Sequence, residues 1–155
     1  MPVLADCPRV RVVSIEASPN TLPFLIKTQA AAARRVDWTL VGAAVGAECG
    51  EAEFWCGGGA QGAFDGLRDT ARGGAKRAVR VPVRTLDDIW HEQGCPAISV
   101  IKIDIEGGEY WALQGAKDII SRTKPVFIVE WTDKNLASYG IDSGELLQLC
   151  AAMGY

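Results

Sequence analysis

The sequence predicts an α/β chain with a mainly parallel sheet flanked by helices, and three observations carry that prediction. Short β-branched runs alternate with stretches of helical periodicity from one end to the other. Three of those runs finish in carboxylates at Glu16, Asp104 with Glu106, and Glu130, as strands do at the ligand-binding rim of an open α/β sheet. The length of 155 residues, 48% hydrophobic and 23% charged, suits one globular domain with a real core.

Residues 9–16, RVRVVSIE, read as the first strand. Ser18 follows as an N-cap with Pro19 at the first helical position, and Leu22, Leu25, Ile26 and Ala33 recur at helical spacing. Residues 19–34 are therefore expected to form a helix with one apolar stripe, with Pro23 near the first turn, where a missing amide costs little. Residues 38–45 give a second strand, and 52–56 a short third one across a glycine-containing turn. Glycines crowd residues 57–76, which read as a mobile surface loop with one helical turn near 64–68. A strand at 79–84, a short helix at 86–93, a strand at 98–105 and a helix at 109–122 follow. The strand at 125–130, PVFIVE, and a helix at 143–153 complete the order. With no repeat and no linker, residues 1–155 are expected to be a single domain.

Net charge −3 and a pI near 5.2 give no field to attract nucleic acid or anionic lipid. No apolar run approaches the roughly 20 residues that span a bilayer, and no signal segment opens the chain, so a cytoplasmic location is expected. Cys7, Cys49, Cys56, Cys95 and Cys150 include no C-x-x-C pair and read as reduced thiols. His91 is the one histidine, and its helix runs into the 98–105 strand, which places it toward the amino rim of the sheet. It reads as a surface residue rather than a base. A metal-dependent hydrolase built on Asp104, Glu106 and Glu130 would lack a histidine ligand, so no metal site is expected.

Side chains alternate across a strand. Val100, Lys102, Asp104 and Glu106 should share one face of the 98–105 strand, opposite Ser99, Ile101, Ile103 and Ile105. Each carboxylate has a plain reading beside a functional one. Glu16 is either an acid favoured by the following helix N-terminus or an acceptor for the two hydroxyls of a ribose. Asp104 either pairs with Lys102 or belongs to a site. Glu106 and Glu109 flank a helix N-terminus, where the dipole accounts for them as well as catalysis does. For Glu130 an ion pair with Lys102 is expected.

Several segments together resemble the FkbM-type family of S-adenosylmethionine-dependent methyltransferases over nearly the whole chain. They are VSIEASPNTLPFL, LVGAAVG, VPVRTLDDI, IKIDIEGGEYWALQGA, KPVFIVE and the closing GY. The resemblance implies a Rossmann-like class I methyltransferase fold with S-adenosyl-L-methionine at the carboxyl rim. It implies that Glu16 accepts the ribose hydroxyls with Ala17 beside it, that Ala43 and Ala44 lie near the adenine, and that Asp104 borders the methionine end and the acceptor pocket. Asp104 or Glu106 would take the acceptor's proton, the acceptor being a small-molecule or sugar-type hydroxyl.

One departure stands out. Family members begin with a strand and a Gly-rich turn that holds the methionine part, whereas MPVLADCP has no glycine, and the family's last strands follow the GY. A sheet incomplete at both ends is expected, with the 9–16 and 98–105 strands flanking the place of a central strand and open to self-association. Two rivals are a non-catalytic remnant acting as an interaction module and an NAD-dependent oxidoreductase. The second lacks the G-x-G-x-x-G it would need.

Overall fold

The computed structural model describes residues 10–32, 37–57, 64–71 and 74–155. Cys7 lies outside them, as do Ala33 and Arg34 at the end of the expected first helix and parts of the 57–76 stretch.

The first unit is β1 (Arg11–Ile15), α1 (Leu22–Ala32) and β2 (Asp37–Val41). β1 and β2 run parallel in register from Arg11 opposite Asp37 to Ile15 opposite Val41. The helix starts at Leu22 rather than Pro19. Residues 19–21 instead form a turn in which the Ser18 carbonyl accepts the amides of Thr21 and Leu22. The apolar stripe expected of α1 is not core: none of its residues is buried, and Phe24 is 69% exposed.

The strand expected at 38–45 is two strands in two sheets. It breaks at Gly42 and Ala43, and β3 (Ala44–Val45) pairs with β5 (Lys76–Arg84) rather than continuing beside β1. β4 (Gly50–Gly57) is longer than expected and lies antiparallel to β5 over its whole length, giving the order β3-β5-β4. Alternation along β4 puts Phe54 and Cys56 into a small core with Ala44, Val81 and Val83.

α2 (Leu86–Glu92) begins as expected, with the Thr85 hydroxyl accepting the Asp88 amide at 2.9 Å. β6 (Val100–Ile103) and β7 (Val126–Val129) form a parallel pair. Between them the helix expected at 109–122 is two, α3 (Glu109–Gln114) and α4 (Lys117–Thr123). The cause lies at Asp87. Its amide takes the Gly115 carbonyl at 2.9 Å, while its carboxylate accepts the amides of Asp118 and Ile119 at 2.9 Å each. Gly115 itself must be glycine, since a Cβ there would come within 2.3 Å of the Gly46 carbonyl oxygen. α5 (Asp133–Ala137) and α6 (Ser143–Ala152) close the chain, the latter with a capping box between Asp142 and Glu145. The main core lies among α2, β6 and α3 to α6 and includes Trp90, Ile103, Leu113, Ile119, Leu136 and Leu146.

The architecture is α/β, but three small sheets replace the one expected, two of them parallel pairs and one mixed. Among the described residues no ladder joins β1 to β6; each is paired along one edge.

Candidate functional site

The carboxyl end of β1 carries a polar cluster that is largely buried. Glu16 follows the last strand residue, and its amide donates to the Val41 carbonyl, which fixes it at the rim. Its Oε1 accepts the Ser18 amide at 2.7 Å. Burial pushes the Glu16 carboxyl above its ordinary value, and the charge of Asp65 adds to the rise against the pull of the Ser18 and Ala17 amides. Ser18 is buried and donates its hydroxyl to Asp65 Oδ2 at 2.6 Å. Asp65 Oδ1 accepts the Gly57 amide at 2.7 Å, and Asn20 Nδ2 donates to the Gly57 carbonyl at 2.7 Å. A strand end, a turn and a loop are thus locked together around two carboxylates.

Ala17 packs against the small core to which Ala44 belongs. Ala43 and Ala44 are 2% and 6% exposed. They offer little side-chain surface and act mainly as close packing behind the rim.

At the carboxyl end of β6 the expected alternation stops. The strand ends at Ile103, and Asp104 pairs with Lys102 across 2.6 Å. Glu106 is not on a strand face; it sits in a turn at φ +59° with Gly107 at φ +107°. Its Oε2 accepts Asn135 Nδ2 at 2.7 Å. Gly107 is obligatory, because a Cβ there would meet the Asn135 carbonyl oxygen at 2.5 Å. Glu109, fully buried, holds the turn by accepting the amides of Ile105 and Gly107 at 3.1 and 3.2 Å. Burial pushes its carboxyl upward, and the nearby Glu106 charge adds to this. Glu109 Oε1 therefore holds the turn, while its buried Oε2 makes no hydrogen bond among the described residues.

Gly66 joins the two rims. Its backbone bridges Trp55, and a Cβ on it would lie 3.6 Å from the Glu106 Cβ and 3.8 Å from the Tyr139 hydroxyl. Burial, and then the Glu109 charge, push the Tyr139 phenol up to about 12.

Glu130 stands just past β7 with its amide on the Ile103 carbonyl, so it shares the rim of Asp104. The Lys102–Glu130 pair does not form, because Lys102 is taken by Asp104. His91 lies 3.5 Å from Asp118, away from these carboxylates. Two residues further on, Gln93 receives the Arg11 guanidinium at 2.5 Å, which sets this end of α2 at the amino end of β1. Among the described residues no three His, Cys, Asp or Glu side chains gather as metal ligands.

Asp65, Ser18 and Asn20 were not singled out by sequence as site residues. Asp65 sits in the glycine-rich stretch expected to be a surface loop, yet it is buried, as is Thr70. The signal available was Asp65-Gly66, a turn dipeptide within the glycine-rich stretch. Ser18 and Asn20 looked like ordinary capping and turn residues.

No curated protein matches the chain. The fold is similar to the crystal structure of methyltransferase FkbM from Methylobacillus flagellatus KT, with a TM-score of 0.54 and 24% sequence identity. That likeness covers 92% of this chain and 29% of the other, and it concerns the fold. Residues 4–155 match the Methyltransferase FkbM domain. A match over nearly the full length, on the segments that build both rims, shows that the chain belongs to the FkbM methyltransferase domain family.

Proposed function

We propose that residues 1–155 form one domain of Rossmann-like class I methyltransferase type that binds S-adenosyl-L-methionine and methylates an oxygen of a small-molecule or sugar-type hydroxyl. The observation that carries this reading is the Glu16–Ser18–Asp65 cluster at the carboxyl end of β1. A carboxylate has about four acceptor positions. Glu16 gives one to the Ser18 amide and keeps capacity for two adjacent hydroxyls such as those of a ribose. These acceptors fit the ribose hydroxyls of the cofactor, and Ala17, Ala43 and Ala44 supply the apolar packing next to them.

When bound, S-adenosyl-L-methionine supplies a methyl group already activated on a sulfonium. The chain then has to hold the acceptor in line and remove its proton. Asp104 is the better placed of the two expected bases. It is part-exposed at the rim with Lys102 beside it, whereas Glu106 is engaged by Asn135 as part of the turn.

Calorimetric titration with S-adenosylhomocysteine tests the reading. We expect saturable binding that Glu16→Ala weakens by about tenfold or more, the loss of charge-assisted hydrogen bonds worth roughly 1.5–3 kcal/mol. A chain that binds no S-adenosylhomocysteine, or binds it equally well without Glu16, would refute it.

A further inference from the structure

We propose that Glu109 is a positioning residue of the carboxyl rim and that it works as the neutral acid. With its proton on, the 105–107 turn is closed and Asp104 is held at the end of β6; with the proton off, the turn opens locally. The turn and its proton concern the chain alone, while the link to ligand binding at Asp104 rests on the cofactor reading above.

The turn does not hold itself. Glu106 at φ +59° occupies the left-handed region, which costs a residue with a side chain, and Gly107 follows at φ +107°. Two residues outside the turn keep it in place. Glu109 Oε1 accepts the Ile105 and Gly107 amides at 3.1 and 3.2 Å, and Asn135 Nδ2 donates to Glu106 Oε2 at 2.7 Å. Tyr139 lies over it. A Cβ on Gly107 would meet its ring edge at 2.9 Å, and one on Gly108 would lie 3.7 Å from its hydroxyl.

The hydrogen bonds around the turn are short of donors. Glu109 Oε2, Asn135 Oδ1 and the Tyr139 hydroxyl are all buried and make no hydrogen bond of ordinary geometry among the described residues. Glu109 is 0% exposed and Asn135 5%. The charged groups nearby offer Glu109 nothing positive. Glu106, in the turn itself, adds negative charge. Tyr139, after α5, is a neutral phenol, and Arg68, on the 64–71 segment, acts on Tyr139. Lys102, on β6, is held by Asp104. A charge on a buried oxygen with neither donor nor cation costs far more than the neutral acid, and burial accordingly pushes the Glu109 carboxyl upward. A proton on Oε2 also makes that atom a donor, with Asn135 Oδ1 and the Tyr139 oxygen as unpartnered acceptors at the same turn. Its loss leaves Glu106 and Glu109 as like charges in one turn, and water reaches Oε2 when the turn opens.

Hydrogen exchange of the whole chain, read by mass spectrometry as protection relative to an unstructured chain, tests this on the parent protein. The peptide spanning residues 104–110 should lose protection about tenfold as pH rises above the ordinary 4.5. A peptide from the β6–β7 ladder, residues 126–130, should keep its own. Glu109→Gln retains the acceptor for the two amides and puts an amide donor in place of the proton, so its 104–110 peptide should stay protected throughout. Constant protection in the parent, a fall shared by residues 126–130, or a Glu109→Gln chain with the parent's fall would each overturn the proposal. Saturating S-adenosylhomocysteine at neutral pH should slow exchange at residues 104–110. If it does not, while the pH-dependent fall and its loss in Glu109→Gln remain, the proton at Glu109 stands and the reading of Asp104 fails. If it does, while protection is flat with pH, the role of the proton fails and the cofactor reading stands.

Discussion

Ser18 donates its hydroxyl to Asp65 Oδ2 across 2.6 Å, a buried bond between residues 47 apart in the chain. It fixes the turn after β1 to the segment that follows β4, and with it the position of the Glu16 carboxylate, whose Oε1 is held by the Ser18 amide. Asp65 is the hub, since the Gly57 amide also depends on it.

Asp65→Ala should therefore cost about 3 kcal/mol of stability, because it strands the Ser18 hydroxyl and the Gly57 amide at roughly 1–3 kcal/mol each. Urea unfolding of the variant and the parent gives the number. The same variant should lose S-adenosylhomocysteine affinity through displacement of Ser18 and Glu16. A change in stability below about 1 kcal/mol would mean that the cluster is not buried in solution.

Asp87 is the structural counterpart. It caps α4 through the Asp118 and Ile119 amides and pins the break at Gly115. Asp87→Ala should destabilise the fold by about 1–2 kcal/mol and leave S-adenosylhomocysteine affinity unchanged in the folded fraction. Loss of affinity without loss of stability would place Asp87 in the site instead.

Much of this was legible locally. The register of β6 and β7 places Ile101, Ile103, Phe127 and Val129 on one face and Val100, Lys102, Val126 and Ile128 on the other, as alternation requires. The core-facing set includes the buried Ile103 and the packed Ile101 and Phe127. What failed was set by distant contacts. Asp87, some thirty residues earlier, splits the helix expected at 109–122, and the Glu109 carboxylate together with the Asn135 backbone folds Glu106 out of its strand. Glu16 was found at its strand end because a strand terminus is a local property. Asp65 was not, because nothing near it in the chain says that Ser18 will come to meet it.

Acidity gives a further test. Burial holds the carboxyls of Glu109 and Glu16 above the ordinary 4.5. Above that value the folded chain retains protons the unfolded chain has released, so this contribution is fully present below 4.5 and is lost as pH rises through the folded values. Glu109→Gln keeps an acceptor for the Ile105 and Gly107 amides without the charge. It should melt at or above the parent at neutral pH and show a flatter melting profile as pH rises above 4.5. A variant with the parent's pH dependence would show that Glu109 does not titrate in that window.

Among the described residues β1 and β6 are each paired along one edge only, and this predicts association. Val100, Val126 and Ile128 are each more than half exposed on one face of the β6–β7 pair, and an apolar face beside an unpaired edge invites another chain. Sedimentation velocity at rising concentration should show reversible oligomers, and Val126→Lys should shift them toward monomer. A strictly monomeric chain that Val126→Lys leaves unchanged would remove this face as the cause.

The central claim is that the carboxyl end of β1 holds the nucleoside of the cofactor. A crystal structure of the chain with S-adenosylhomocysteine tests it most directly. The account predicts both ribose hydroxyls within hydrogen-bonding distance of the Glu16 carboxylate, the adenine against Ala43 and Ala44, and the homocysteine end toward Asp104. A ligand seated away from Glu16, for example in the apolar pocket between Phe127 and Tyr155, would contradict it.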